Sequence, residues 1–207
     1  LFQHAAHGLR AGVEMDAEGL LPDALDAACR KTNARVLYCM PTLQSPTGIT
    51  MPESRRRQIA LIAQKHDLTI IEDDVFGFLP VDRPPPLTVF APERSLFVTS
   101  VSKSLAPGLR IGIVRTPERH REALRNAVQM SCWMPSPVTA EITHRWIREG
   151  TADRLTDQLR KEMKARCKLA RTILGDAAGN MQDLTYHLWI NLPESWSEEG
   201  FRTAAEQ

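Results

Sequence analysis

The sequence lacks an excess of charge of either sign. Its 26 lysines and arginines nearly balance its 25 aspartates and glutamates, so the formal net charge at pH 7 is +1. A chain with this balance has no bulk electrostatic attraction to nucleic acid or to an anionic membrane. Any contact with DNA must therefore come from a local patch, or from sequence other than these 207 residues.

Cysteines are also few, and no long apolar run is present. The four cysteines are widely separated along the chain: Cys29, Cys39, Cys132 and Cys167. No Cys-x-x-Cys pair or cysteine–histidine cluster indicates a metal site. Widely spaced cysteines favour reduced thiols in a cytoplasmic protein over disulfides. No stretch is long and apolar enough to span a bilayer, so we expect a cytoplasmic protein without a metal or a membrane partner.

The two ends of the sequence do not have the features of natural termini. Leu1 is not an initiator residue, and the residues that follow it do not form a signal peptide. The chain is therefore predicted to begin and end inside a longer protein. Its length is enough for one domain plus part of another.

Short apolar runs alternate with helical patterns in the first half of the chain. Strands are predicted at 35–40, 68–71, 96–99 and 111–114, and helices at 22–30 and from residue 52 onward. Continuous apolar strands separated by helices indicate an α/β fold with a mostly parallel sheet, covered by helices on both faces. In the second helix, Ile59, Leu61, Ile62 and Ala63 are predicted to face inward. The run Arg55–Arg57 is predicted to be a solvated face, with a nucleic-acid patch as the alternative.

The second half of the chain has a different pattern. Helices are predicted at 117–130, 136–149 and 151–174, the last one long and highly charged. The alternating segment at 184–192 predicts a strand. We therefore expect a second, smaller α+β domain to begin along the long helix.

Polar residues follow the predicted strands. The groups are Gln44-Ser45, Asp73-Asp74 and Ser100-Val-Ser-Lys103. Ligands of parallel α/β sheets collect at the carboxyl ends of the strands. A carboxylate at the end of a buried strand is costly unless it meets a positive partner. We therefore predict a functional role for Asp73 and structural or capping roles for Asp74 and Glu72.

Three motifs contain these polar groups: PTLQSPTGITMPESRRR, IIEDDVFGFLP and SVSKSLAPGLRIG. In order and spacing they resemble the large domain of fold-type I aminotransferases, which use pyridoxal 5′-phosphate (PLP). The resemblance is strongest to the MocR subfamily of GntR-type regulators, in which a winged helix-turn-helix precedes an aminotransferase-like domain. It implies that residues 1–150 are the second part of the PLP-binding large domain. Residues 151–207 would then be a linking helix and a truncated small C-terminal domain.

The same resemblance assigns roles to individual residues. Lys103 would be the Schiff-base lysine, and Asp73 the partner of the pyridine nitrogen. Ser100, Ser102 and Arg110 would bind the phosphate. These residue types suit the cofactor, because a carboxylate keeps the pyridine protonated as an electron sink and the arginine fork matches phosphate oxygens.

Two positions depart from the aminotransferase pattern. Many aminotransferases have Asn where this chain has Ser45, just before the turn Pro46–Gly48 that passes the ring, and Tyr where it has Phe76. Both residues normally hydrogen-bond the ring hydroxyl. Serine is shorter and phenylalanine cannot donate, so we expect weaker hydrogen bonding at that oxygen and weak turnover.

Several histidines and large apolar residues allow more than one interpretation. We predict packing or interface roles for His144, His187, Trp189, Trp133 and Met134. The alternative for His187 is that it reaches the active site from the small domain.

Two function classes follow from the resemblance. The favoured one is a PLP-binding effector domain of a cytoplasmic, homodimeric GntR/MocR-type regulator, in which PLP or an amino acid or amine shifts the DNA affinity of a winged helix-turn-helix outside these residues. The alternative is a free-standing, 2-aminoadipate-like aminotransferase, in which Lys103 also acts as the general base. A scaffold that no longer binds PLP is a third, less favoured possibility. Because further cofactor contacts are expected outside these residues, we predict that the isolated chain binds PLP poorly.

Overall fold

A computed structural model describes residues 11–179, 181–193 and 195–206. The first ten residues of the predicted second part of the large domain lie outside the described residues. The strands are β1 (Met15–Asp16), β2 (Gly19–Leu20), β3 (Val36–Cys39), β4 (Thr69–Asp73), β5 (Ser95–Ser100) and β6 (Gly112–Arg115). The helices are α1 (Pro22–Lys31), α2 (Glu53–Lys65), α3 (Val101–Ser104), α4 (Glu118–Cys132), α5 (Pro137–Arg148), α6 (Thr151–Leu174) and α7 (Glu198–Ala205).

Strands β3 to β6 form a single sheet in chain order. β3, β4 and β5 are parallel, with Cys39 opposite Glu72 and Asp73 opposite Val98. β6 is antiparallel to β5, and its Gly112 lies opposite Ser100. The prediction of an α/β fold with a mostly parallel sheet is confirmed. The carboxyl ends of three strands and the beginning of β6 therefore meet at one edge of the sheet.

The main core lies between this sheet and the helices α1 and α2. It contains Leu25, Leu37, Ile59, Leu68 and Ile70, each less than a tenth exposed. At about 25 cal/mol per Å² of buried apolar surface, side chains of this size each contribute roughly 1.5–3 kcal/mol. This cluster fixes the sheet on which the polar strand ends are placed.

The prediction of strands covered on both faces is wrong for the two edge strands. In β3, Val36 and Tyr38 are 52% and 56% exposed, whereas Leu37 between them is buried. In β6, Ile113 and Val114 are 47% and 46% exposed. Successive residues of a strand point to opposite faces. Within the described residues, β3 is therefore covered on only one of its two faces.

The arginines at the beginning of α2 do not form a solvated face. Arg55 pairs with Asp16 and Glu18 at 3.0 and 2.9 Å, and only Arg57 is exposed. Arg56 is completely buried, so the prediction is wrong for this residue. Its guanidinium makes four hydrogen bonds to acceptors in the interior, which a charge pattern in the sequence does not reveal. Leu61, predicted to face inward, is 66% exposed.

The long helix α6 and its two predecessors lie where the sequence predicts helices. The predicted strand at 184–192 is wrong, because the structure has no strand over these residues. A strand needs a neighbour that pairs with its backbone groups. No described strand pairs with this segment. Its alternating sequence pattern is therefore not sufficient to form a strand. None of the described helices has the length and apolar character needed to cross a membrane.

Candidate functional site

Lys103 lies in the short helix α3, directly after the central strand β5. Ser100 is the N-cap of this helix, since its Oγ accepts the backbone N–H of Ser102 at 3.1 Å. The same Oγ donates to the carbonyl oxygen of Ile111 at 3.1 Å. An N-cap fixes the direction in which the first turn of a helix leaves the strand. Ser100 therefore positions Lys103, whose side chain is exposed.

The Asp73 carboxylate is held by two donors at the end of β4. The hydroxyl of Tyr38 donates to Oδ2 at 2.7 Å, and the backbone N–H of Val75 donates to Oδ1 at 3.2 Å. Burial, and then the hydrogen bond to Asp73, raise the pKa of Tyr38. No arginine, lysine or histidine among the described residues forms an ion pair with Asp73. The carboxylate is thus fixed in orientation without a cation of its own.

Tyr38 is a site residue that was not predicted from the sequence. The only available signal was its position near the end of β3, because Tyr38 is paired in register with Ile71, two residues before Asp73. Side chains on the same face of neighbouring parallel strands interact when they are this close in register. The register itself, however, is a property of the folded sheet.

The phosphate-binding candidates lie at the same edge of the sheet. Arg110 follows the tight turn Pro107–Leu109 and has left-handed backbone angles, φ 53° and ψ 35°. Its side chain is exposed, and it has no ion-pair partner within residues 11–179, 181–193 and 195–206. Ser102, in α3, is half-buried. The Ser100 hydroxyl would have to rotate away from Ile111 to donate to a phosphate.

The carboxylates on either side of Asp73 have structural contacts, as predicted. Glu72 is fully buried and accepts the backbone N–H groups of Leu87 and Thr88 at 2.9 and 2.7 Å. Burial raises the pKa of Glu72. Asp74 accepts a 2.6 Å hydrogen bond from Arg83. Both carboxylates tie the residues after β4 to the body of the domain.

Arg56 links the same region to the turn that follows β3. It donates to the carbonyl oxygens of Met51, Pro41 and Pro85 at 2.9, 3.0 and 3.1 Å. A fourth bond reaches Thr42 Oγ1 at 3.0 Å, and Glu72 lies 3.8 Å away. Burial lowers the pKa of Arg56. One buried side chain therefore connects the loop before Ser45, the beginning of α2 and the end of β4.

The turn that carries Ser45 is closed by backbone hydrogen bonds. Gly48 N–H donates to the Gln44 carbonyl at 2.6 Å, and Gln44 N–H donates to the Ile49 carbonyl at 2.8 Å. Gly48 has φ +73°, a conformation that L side chains rarely adopt. The tight turn places Ser45 Oγ 3.3 Å from His187 Nε2.

The segment Leu184–His187 brings Ser45, Phe76 and Lys103 together. The ring of Phe76 is 5.0 Å from the ring of His187, edge to face, and 5.5 Å from that of Tyr186. The Tyr186 hydroxyl donates to the backbone carbonyl of Lys103 at 3.0 Å. The alternative interpretation of His187, a residue of the smaller part of the chain that reaches the site, therefore agrees with its observed contacts.

Helix α6 anchors this segment and the residues after β4. Arg160 Nε donates to the carbonyl of Phe78 at 3.0 Å. Met163 is buried in a cluster with Leu43, Phe76 and Leu79. Cys167 Sγ donates to the Thr185 carbonyl at 3.6 Å. The site is thus supported by residues from both halves of the chain.

The other large side chains singled out in the sequence are on the surface. Trp133, Met134 and Trp189 are 69%, 51% and 54% exposed, and His144 is exposed as well. The prediction that these four residues pack in a core is therefore wrong for the described chain. Their interface role stays a prediction.

Comparison with known proteins identifies the family. Residues 9–195 match the family model described as aminotransferase class I and II. The HTH-type transcriptional regulator YdfD of Bacillus subtilis is 30% identical over 99% of this chain, which spans 44% of that regulator. The mitochondrial kynurenine/alpha-aminoadipate aminotransferase of Bos taurus is 28% identical over 87% of the chain and 48% of the relative.

A solved structure agrees with the fold. LysN, the alpha-aminoadipate aminotransferase of Thermus thermophilus complexed with N-(5′-phosphopyridoxyl)-L-leucine, superposes with a TM-score of 0.84 at 26% identity. The match covers 94% of this chain and 53% of LysN. The chain therefore spans about half the length of the proteins that it matches. With its fold and with the family match over residues 9–195, the chain belongs to the class I and II aminotransferase family.

Proposed function

We propose that this chain is the PLP-binding effector part of a regulator of the GntR/MocR type. The observation that carries the proposal is the similarity to an HTH-type regulator along 99% of the chain. Because the chain spans 44% of that relative, the proposed winged helix-turn-helix would lie in sequence outside these residues. DNA binding is thus proposed for the complete protein and not for this chain.

The charged groups at the sheet edge fit PLP chemically. Asp73 offers an oriented carboxylate to the pyridine nitrogen, Lys103 an exposed amine to the aldehyde, and Arg110 a guanidinium to the phosphate. None of the three has an ion-pair partner in the described part of the chain. Bound PLP would supply an electron sink and would neutralise these charges. This charge complementarity supports Lys103, Asp73, Ser102 and Arg110 as cofactor-binding residues.

The residues proposed to lie near the PLP ring, Ser45 and Phe76, favour regulation over rapid turnover. Phe76 is buried and has no hydrogen-bond donor, and Ser45 carries only a short hydroxyl. Such a site holds the cofactor with fewer hydrogen bonds to its ring than an Asn and a Tyr would provide. An amino acid or amine that changes the state of the cofactor would then act as an effector, provided that it binds one conformation more tightly than another.

The proposal includes an organisation for the whole protein. Residues 1–150 would form the second part of the PLP-binding domain, and residues 151–207 the linking helix and part of a small domain. A homodimer and a cytoplasmic location are part of the same proposal. The long α6 between Thr151 and Leu174 supports the boundary near residue 150.

DNA binding tests the proposal directly. The complete gene product should bind DNA from upstream of its own gene, and addition of PLP should change the dissociation constant measured by fluorescence anisotropy. Amino acids added to the PLP-loaded protein should change it again. The Lys103→Ala variant should bind the DNA without responding to PLP. A complete gene product whose DNA affinity is independent of PLP would contradict the effector role.

The second candidate is an aminotransferase of the 2-aminoadipate type. The similarity to the bovine kynurenine/alpha-aminoadipate enzyme and to LysN favours it. Steady formation of glutamate from 2-oxoglutarate and 2-aminoadipate by the complete gene product, without any DNA binding, would establish this function. Lys103 would then transfer the proton during turnover.

Tyr38 provides a prediction on the proposed cofactor site. Tyr38→Phe removes the donor to Asp73 Oδ2 while the ring remains in place. We expect PLP binding by the complete gene product to weaken about fivefold, because the carboxylate loses part of its fixed orientation. Titration with PLP, followed by absorbance, measures the effect. Val36→Ala is the matched control, because Val36 is an exposed residue of the same strand and has no hydrogen-bonding side chain; an equal loss in both variants would contradict the specific role of Tyr38.

A further inference from the structure

His187 is a titratable side chain of the site, and the proposed function does not explain its environment. Its Nε2 lies 3.3 Å from Ser45 Oγ, and its ring contacts Phe76 edge to face at 5.0 Å between centroids. Its Nδ1 is buried and has no hydrogen-bond partner among the described residues. A buried imidazole nitrogen without a partner constrains where the proton of the ring is located.

The unpartnered Nδ1 indicates which tautomer is present. A protonated Nδ1 would bury an N–H group without an acceptor, and buried N–H groups are rarely left without one. Burial lowers the pKa of His187, and the charge of Lys103, the charged group acting on it in the described chain, lowers the pKa further. Both causes favour a neutral ring. The proton of a neutral ring with a bare Nδ1 is on Nε2, the nitrogen next to Ser45.

This tautomer determines the direction of the Ser45 hydroxyl. If Nε2–H donates to Ser45 Oγ, the hydroxyl hydrogen of Ser45 is left for a different acceptor. Ser45 stands immediately before the turn Pro46–Gly48, and a Cβ atom added at Gly48 would lie 3.5 Å from Thr185 Oγ1 and 3.8 Å from the His187 carbonyl oxygen. The segment Leu184–His187 thereby holds the serine and the histidine in fixed positions relative to each other.

We propose that His187 is a positioning residue that makes Ser45 a hydrogen-bond donor to the ring oxygen of PLP. The inference rests on the proposed function, because it concerns the PLP site. His187 thus offsets part of the loss caused by the short serine and by Phe76, which has no donor. The ligand atom that Ser45 would recognise is the ring oxygen of PLP, which carries partial negative charge.

The pH dependence of PLP absorbance in the complete gene product tests this role. A donor at the ring oxygen stabilises its negative charge and so lowers the pKa of the nitrogen that joins PLP to Lys103. His187→Phe keeps an aromatic ring against Phe76 but removes the donor, so this pKa should rise by roughly one unit. Ser45→Ala should give a rise of similar size. The double variant should rise no further, because both residues act through one hydrogen bond.

Further variants separate positioning from a merely structural role. His187→Gln should restore the wild-type pKa, because its amide nitrogen reaches the position of Nε2. His187→Asn should not, because its amide reaches only the position of Nδ1; it replaces His187→Phe if that variant does not fold. Trp189→Phe, at an exposed site in the same segment, is the control and should titrate as wild type.

The outcomes distinguish this inference from the proposed function. A wild-type protein that takes up no PLP would overturn the proposed function and this inference with it. A wild-type protein that binds PLP, together with a His187→Phe variant that titrates identically, would overturn the inference alone. Additive shifts in the double variant would also overturn it, because His187 and Ser45 would then act independently.

Discussion

Replacing Lys103 with alanine should abolish covalent attachment of PLP to the complete gene product. Lys103 is the exposed amine one turn after the Ser100 cap, at the same edge of the sheet as the oriented Asp73 carboxylate. Borohydride reduction of the wild-type protein with PLP should give a stable adduct, which mass spectrometry locates on the peptide containing Lys103. The variant should give no adduct on that peptide.

A surface lysine provides the control for this experiment. Lys161→Ala removes an exposed lysine of α6 and should leave the adduct unchanged. Exposed lysines can react with PLP at high concentration, so the reaction is run at a low ratio of PLP to protein. An adduct that forms equally in the Lys103→Ala variant would contradict the assignment of Lys103.

Replacing Arg56 with methionine should cause the largest loss of stability among the substitutions considered. Arg56 is fully buried and joins the carbonyls of Pro41, Met51 and Pro85 to the buried Glu72. Its removal leaves the Glu72 carboxylate without its cation and several carbonyls without a donor. Breaking a buried pair costs about 3–5 kcal/mol. The unfolding temperature should fall by about 10 °C, as measured by differential scanning calorimetry.

The neighbouring arginine and the partner carboxylate test this explanation. Arg57→Met, at an exposed position of the same helix, should change stability by no more than about 0.5 kcal/mol. Adding Glu72→Gln to Arg56→Met should recover part of the loss, since the amide carries no buried charge. Equal effects of the Arg56 and Arg57 substitutions would show that the buried contacts do not determine the cost.

The sheet and its polar edge could be predicted because they depend on local pattern. Apolar runs define β3, β4 and β5, and the chain order places Asp73 at the end of a strand and Ser45 and Lys103 after one. The contacts between them depend on register and on long-range packing. Tyr38 meets Asp73 only because β3 and β4 are aligned as they are. The pairing register of β3 and β4 cannot be read from a single sequence.

The errors have physical causes as well. Arg56 has the same charge as its neighbours in the sequence, and its burial depends on acceptors from three separate segments. Residues 184–192 alternate as a strand does, but they have no described strand to pair with. From the sequence, His187 is predicted to have a packing or interface role, with a role in the site only as the alternative. Its contact with Ser45 spans 142 positions of sequence, which no periodicity reveals.

Helix α6 is a single long helix that contacts two separate parts of the site. Its 24 residues extend about 36 Å, and Met163, near the middle, is fixed in the cluster with Phe76 and Leu79. Because Arg160 and Cys167 of the same helix bond to Phe78 and Thr185, this one rigid rod fixes the spacing between the residues after β4 and the segment Leu184–His187.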